Sequence, residues 1–119
     1  MKANRVIIAG SRTTPENNKE LLEQISKILP KENLIIVSGA ARGGDRLGEN
    51  WAKENGVEVK QFPAEWDKHG KSAGMIRNKQ MAEYATELLL IWDGESKGSA
   101  HMKKEAEKRG LKITEIIWK

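Results

Sequence analysis

The chain of 119 residues contains no cysteine, and this absence excludes several classes of protein. Without thiols there is no disulfide framework, no cysteine nucleophile and no thiolate metal site. A cysteine-free composition also suits a reducing compartment. The chemistry of this protein therefore has to come from other side chains or from the backbone.

Long hydrophobic runs are absent as well. The apolar run at residues 6–9 follows basic residues, but glycine interrupts it too early for a signal peptide. No segment approaches the about 20 apolar residues that a membrane-spanning helix needs. We therefore expect a cytoplasmic protein that has no membrane partner.

A large excess of one charge is also missing. The formal net charge is +4, but 17 acidic residues are mixed among 21 basic ones. This balance favours an anionic partner without being a signature of nucleic-acid binding. The charge therefore points towards an anion but does not identify it.

Three motifs that would identify a cofactor or a metal are absent too. The chain lacks the G-x-G-x-x-G dinucleotide fingerprint after its first predicted strand, and it lacks the G-x-x-x-x-G-K-[ST] phosphate loop. The two histidines, His69 and His101, are far apart and have no carboxylate at ligand spacing. We therefore expect no metal and no resident cofactor, and the usual NAD and ATPase interpretations lose support.

Short apolar runs alternate with helical periodicity along the chain. Five strands are predicted, at residues 5–9, 34–37, 57–62, 88–92 and 113–118, and the third is expected at a sheet edge because its apolar and polar residues alternate. Predicted helices start from a cap at residues 13–16, near residue 45, at residue 75 after a long loop at 64–74, and near residue 99. This alternation is typical of one α/β domain over residues 1–119, a Rossmann-like three-layer fold with a mostly parallel five-stranded sheet.

Three loops that follow predicted strands are rich in glycine and serine. In open parallel sheets the ligand binds at the carboxyl ends of the strands, where such loops meet. Glycine lets the backbone approach a phosphate, and a following helix N-terminus directs free amides at it. Any one loop could equally be a tight turn without a ligand, but together they predict a phosphate site. The loop residues concerned are Gly10, Ser11, Ser38, Gly39, Gly43, Gly44, Asp45, Asp93, Gly98 and Ser99.

Arginines that follow sharp turns are the expected anion-binding side chains. Arg12 and Arg42 lie in the first and second loops, and Arg77 with Asn78 lies near the start of the third predicted helix. Fixed guanidinium groups suit phosphate oxygens, and serine hydroxyls could donate further hydrogen bonds to them. Asp93 is a candidate acceptor for a ribose hydroxyl.

Trp66 is the one tryptophan placed in a predicted polar loop. Its ring could stack on a nucleobase there. The alternative, which we favour, is that the ring packs on the protein, as tryptophan usually does in a small domain.

Four motifs, taken in order, resemble the SLOG superfamily. They are Gly10-Ser11-Arg12, the loop from Ser38 to Asp45, Arg77-Asn78, and Lys97-Gly98-Ser99 before the last helix. The superfamily includes the DNA-processing protein DprA (Smf), the lonely-guy phosphoribohydrolases and small proteins related to YspA and YpsA, which are the most similar in length and pattern. The resemblance implies strand order 3-2-1-4-5 and a nucleotide pocket lined by the first, second and fourth loops and faced by Arg77-Asn78. Since SLOG proteins commonly pair, a homo-oligomer is an option.

Several functions compete under this resemblance. We favour binding of a nucleotide-like small molecule by a sensor or sequestering module. Hydrolysis as in the phosphoribohydrolases is disfavoured, because Met102 holds the position of their catalytic glutamate and Glu105 lies about a turn further on. Binding of single-stranded DNA as in DprA ranks lower, because the resemblance covers the Rossmann-like unit alone. A purely structural role is the last alternative.

Overall fold

Five parallel strands form the sheet of the computed structural model, which describes residues 3–119. Each strand pairs in parallel with its neighbours in the order β3-β2-β1-β4-β5, so the predicted order is confirmed and the sheet is parallel throughout. The strands are β1 (Asn4–Gly10), β2 (Leu34–Ser38), β3 (Glu58–Gln61), β4 (Glu87–Trp92) and β5 (Lys112–Ile117).

Helices connect consecutive strands and cover both faces of the sheet. They are α1 (Lys19–Ile28), α2 (Gly44–Glu54), α3 (Trp66–His69), α4 (Ala73–Tyr84) and α5 (Lys97–Lys108). Alternate side chains of the central strand enter the two halves of the core: Val6 packs in one, and Ile7 packs in the other. Within residues 3–119, no helix is long and apolar enough to cross a membrane.

The first helix begins later than its sequence pattern predicts. Asn18, not a residue at 13–16, is the N-cap, and its side chain accepts a hydrogen bond of 3.0 Å from the amide of Leu21. The buried hydroxyl of Thr14 instead donates to the carbonyl of Ile91 at 3.0 Å. A long-range hydrogen bond to the neighbouring strand β4 therefore outweighs the local capping signal, and residues 11–17 form a loop at the carboxyl end of β1.

The segment at 64–74, predicted to be a loop, contains the short helix α3 and a 3₁₀ turn at Gly70–Ser72 that leads into α4. A helix of four residues is too short to display a periodicity, and its N-cap makes no side-chain hydrogen bond. For this reason the pattern missed it. The last helix also starts earlier than expected, at Lys97 with Ser96 as its N-cap.

Candidate functional site

A cavity of about 350 Å³ lies at the carboxyl ends of β1 and β4. Three loops meet there, as expected for a parallel sheet whose winding reverses beside its first strand. The structure brings together in its lining much of the predicted site and adds four residues that the prediction missed. The lining comprises Gly10, Ser11, Arg12, Thr13, Ala41, Arg42, Asp93, Ser96, Lys97, Gly98 and Ser99.

The N-terminus of α5 forms one wall of this cavity. The first amide bonded within the helix is that of Ala100, which donates to the carbonyl of Ser96 at 3.0 Å. The three preceding amides, of Lys97, Gly98 and Ser99, therefore have no carbonyl acceptor in their own helix. Ser96 makes no side-chain capping bond to them either. This wall thus offers backbone donors and the positive end of a helix dipole.

Asp93 shapes the turn that leads into this wall. Its carboxylate accepts bonds of 2.8 Å from the amides of both Glu95 and Ser96, while its own amide donates to the Ser11 hydroxyl at 3.0 Å. The two backbone bonds lower the pKa of Asp93 to about 2, so this carboxylate is ionised at neutral pH. Asp93 therefore holds the start of α5 against the loop that follows β1.

Three cations surround the cavity. Arg12, Arg42 and Lys97 are exposed lining residues. Within residues 3–119, none of them takes part in an ion pair or a side-chain hydrogen bond, whereas Arg46, one turn away on α2, is paired with Glu49 at 2.7 Å. The charges around the cavity are thus available to an anion.

Two amides at the N-terminus of α2, by contrast, already donate to other groups of the protein. The Gly43 amide donates to the Glu16 carboxylate at 2.7 Å, and the Gly44 amide donates to the Ser11 carbonyl at 3.1 Å. The Ala41 amide donates to the buried carboxylate of Asp45 at 3.2 Å. These protein groups take the donors that the sequence pattern assigned to a phosphate.

Most of the glycines predicted for the site are required by the packing of the chain. A Cβ atom on Gly44 would overlap the backbone of Gly10, and one on Gly10 would overlap the carbonyl of Ile91. Gly43 has φ +86 and is also crowded, since a Cβ there would come within 2.7 Å of the Arg12 Cα atom. A Cβ on Gly98, in contrast, would meet no heavy atom within 4 Å. Gly98 is thus the predicted site glycine whose lack of a side chain leaves room for a ligand.

Arg77 lies beneath the cavity rather than in its lining. Its guanidinium donates to the carbonyl of Gly39 and, through Nε, to the Asn78 side chain at 3.0 Å. A Cβ on Gly39 would meet this guanidinium and would lie 2.7 Å from Asp45 Oδ2, so glycine is needed for the contact. Burial lowers the pKa of Arg77, although the nearby Asp45 charge opposes the effect.

Two further predicted residues are also internal. Burial raises the pKa of Asp45 to about 6, and the Arg77 charge only partly offsets it. The buried Ser38 hydroxyl donates to Glu49 Oε2 at 2.6 Å and accepts from the Ala40 amide at 3.0 Å. Both side chains therefore shape the loop after β2, in which Ala40 has a strained φ of 60.

Lys97 and Ser96 were missed because the predicted helix started at residue 99. The backbone bonds of Asp93 that place Ser96 at the N-cap cannot be seen in a sequence pattern. The sign that could have located this start was Ser96 itself, a preferred N-cap residue.

Met102, at the position of the phosphoribohydrolase glutamate, is 1% exposed and packs in the core. Glu105 is buried too, and it binds Arg109 at 2.6 Å. Asp93 supplies the only carboxylate in the cavity lining formed by residues 3–119. Neither Met102 nor Glu105 is therefore among the residues that line this cavity.

A larger groove, of about 540 Å³, lies between α1 and α2. Lysines and glutamates alternate around it, with Lys19 and Glu23 on α1 and Glu54 on α2. It lies away from the glycine-rich loops. We place the site at the smaller cavity, because backbone donors and unpaired cations converge there.

Comparison with known proteins agrees with this architecture. A sequence profile described as the YspA, cpYpsA-related SLOG family matches residues 4–69. The chain is 32% identical to the "Gene 61 protein" of Mycobacterium phage D29 over 117 residues, covering 92% of this chain and 93% of the phage protein. The structure is similar to that of DNA processing protein A (DprA) from Streptococcus pneumoniae, with a TM-score of 0.71 and 18% identity. That similarity covers 99% of this chain but 51% of DprA, so the chain spans about half of that protein and the likeness concerns the fold alone.

Proposed function

Because this chain belongs to the YspA, cpYpsA-related SLOG family, we propose that its cavity binds a nucleotide or a nucleotide-derived phosphate. The observation that carries the proposal is the convergence of donors at the N-terminus of α5. Three backbone amides there lack an acceptor in their helix, and Arg12 and Arg42 lie in the same cavity lining. This combination of free amides, helix dipole and guanidinium groups suits a phosphate.

Each part of the lining has a role in this proposal. The amides of Lys97, Gly98 and Ser99 bind phosphate oxygens, while Arg12 and Arg42 neutralise their charge. Ser11 and Asp93 hold the two walls at a fixed separation through the hydrogen bond between them. The phosphate thus enters a preformed site.

The composition of the lining supports binding rather than hydrolysis. Glycosidic cleavage needs a carboxyl group that can exchange a proton or stabilise positive charge beside the sugar. With a pKa of about 2, Asp93 cannot act as the proton donor, and its oxygens accept hydrogen bonds from its own turn. Met102 is a core residue. A sensor or a sequestering module is the role that these features favour.

Isothermal titration calorimetry with AMP and with ribose 5-phosphate tests the proposal. We expect both compounds to bind the wild type, and we expect Arg42→Ala to weaken both by about tenfold, as for loss of a charge-assisted hydrogen bond. Arg46→Ala is the matched control, because Arg46 is paired with Glu49. If neither compound binds, or if the two substitutions have equal effects, the proposal is overturned.

A further inference from the structure

A second cavity, of about 250 Å³, continues from the phosphate site towards the groove between α4 and α5. The two cavities share Lys97 and Gly98, so they are neighbours across the first turn of α5. The second cavity is further lined by Lys71, Gly74, Met75, Asn78 and His101. We propose that this α4–α5 cavity binds the nucleobase of the ligand whose phosphate lies at the N-terminus of α5, an inference that rests on the proposed function.

The dimensions of the two cavities favour one ligand that spans both. Pockets for small molecules usually have volumes of about 300–1,000 Å³. The α4–α5 cavity alone lies below that range, whereas both cavities together lie within it. Gly98 lies at their boundary, and a Cβ atom on it would point into open space.

Met75 gives the α4–α5 cavity an apolar, adaptable wall. Met75 is 58% exposed on α4, the highest value among the exposed large apolar residues of the described chain. The preceding residue, Gly74, also lines the cavity and has no side chain to fill it. A polarisable thioether beside open space is suited to contact with an aromatic ring.

His101 contributes the surface of its ring to this cavity. Its Nδ1 lies 3.1 Å from the Asn78 amide nitrogen, and its Nε2 lies 3.4 Å from Glu105 Oε2. The Asn78 side-chain oxygen accepts from Arg77, which leaves its amide nitrogen to donate to His101 Nδ1. With both ring nitrogens engaged, His101 is held in one orientation at the edge of the cavity.

Trp66, whose ring is expected from the sequence to pack on the protein rather than to stack on a base, lies near Gly74. Its ring comes within 3.6 Å of where a Cβ of Gly74 would be, and the residue is 53% exposed. Trp66 is not part of the cavity lining. Met75 rather than Trp66 is the side chain to test.

The experiment compares AMP with ribose 5-phosphate, which lacks the base. We expect AMP to bind the wild type more tightly than ribose 5-phosphate does. We expect Met75→Ala to weaken AMP binding about fivefold, as for loss of a contact between sulfur and an aromatic ring, and to leave ribose 5-phosphate binding unchanged. Met75→Leu keeps apolar surface at the same place and should retain most of the AMP affinity.

Ile28→Ala is the matched control, since Ile28 is 40% exposed at the end of α1 and lies outside both cavity linings. If AMP and ribose 5-phosphate bind the wild type equally, the base subsite is refuted while the phosphate site stands. An equal loss of both ligands in Met75→Ala would refute it as well. If neither compound binds, the proposed function fails and the subsite with it.

Discussion

Two glycine-to-alanine substitutions separate a glycine that admits a ligand from one that the fold requires. Gly98 is the second residue of α5, and a methyl group on it would meet no protein atom within 4 Å. Gly44 is the first residue of α2, and a methyl group on it would overlap Gly10 and come within 2.8 Å of the Ala9 carbonyl carbon. Gly98→Ala should therefore change binding, and Gly44→Ala should change folding.

The two substitutions should change the free energy of unfolding differently. Alanine is favoured over glycine within a helix by about 0.8–1.0 kcal/mol, so Gly98→Ala, in the first turn, should leave stability unchanged or raise it by up to about 0.5 kcal/mol. Overpacking costs about 1–3 kcal/mol. We expect Gly44→Ala to lower the free energy of unfolding by about 3 kcal/mol, because the atoms that the new methyl group meets belong to the backbone and cannot rotate away. For a domain of this size that loss lowers Tm by roughly 10 °C.

Thermal unfolding followed by circular dichroism measures these stabilities, and calorimetry with AMP measures binding. Gly98→Ala should melt at or slightly above the wild-type temperature and bind AMP at least tenfold more weakly, since its methyl group occupies the boundary of the two cavities. The reasoning is refuted if Gly98→Ala is destabilised as much as Gly44→Ala. It is equally refuted if Gly98→Ala folds and binds AMP as the wild type does.

Two further predictions concern groups beneath the cavity. Burial raises the pKa of Asp45 from 3.8 to about 6, so the folded state binds the proton more tightly, and this contribution to stability is present below pH 4 and lost as the pH rises through 6. Between pH 4 and pH 7 the free energy of unfolding of the wild type should therefore fall by roughly 2–3 kcal/mol relative to that of Asp45→Asn. Urea denaturation at several pH values measures this difference. Parallel pH profiles of the two proteins would contradict the raised pKa of Asp45. Glu16→Ala should lower the free energy of unfolding by about 1 kcal/mol, because it leaves the Gly43 amide without its acceptor. Glu16→Gln keeps an acceptor and should lower it less. Equal losses of stability in urea denaturation would show that this hydrogen bond contributes nothing.

The sheet could be predicted from sequence because the central strands β1, β2 and β4 are short apolar runs and the connecting segments contain helical periods. The start of α1 could not, since Thr14 bonds to Ile91, a residue 77 positions away. The role of each glycine at the site also cannot be predicted from the sequence. A glycine that admits a phosphate and one that admits a neighbouring backbone look alike in sequence, and only the packing around Gly44 and Gly98 distinguishes them.

The sequence predicts only in part which arginines line the cavity. Arg12 and Arg42 follow turns and lie in the cavity lining, as the sequence predicts. Arg77 also follows a loop, yet it is held against the carbonyl of Gly39 beneath the cavity. Sequence spacing identifies which cations stand near the strand ends, but the direction of each side chain depends on a loop conformation that is set by the buried Ser38 and Asp45.

Ser11 joins all three loops of the cavity: its carbonyl accepts from Gly44, and its hydroxyl bonds to the Asp93 amide and the Ser96 hydroxyl, each at 3.0 Å. The cavity therefore exists only while the second half of the chain, with β4 and α5, is docked on the first. Partial opening of that half would separate the walls and release any bound molecule. A ligand in the cavity should accordingly slow amide hydrogen exchange throughout β4, α5 and β5, well beyond the residues that it touches.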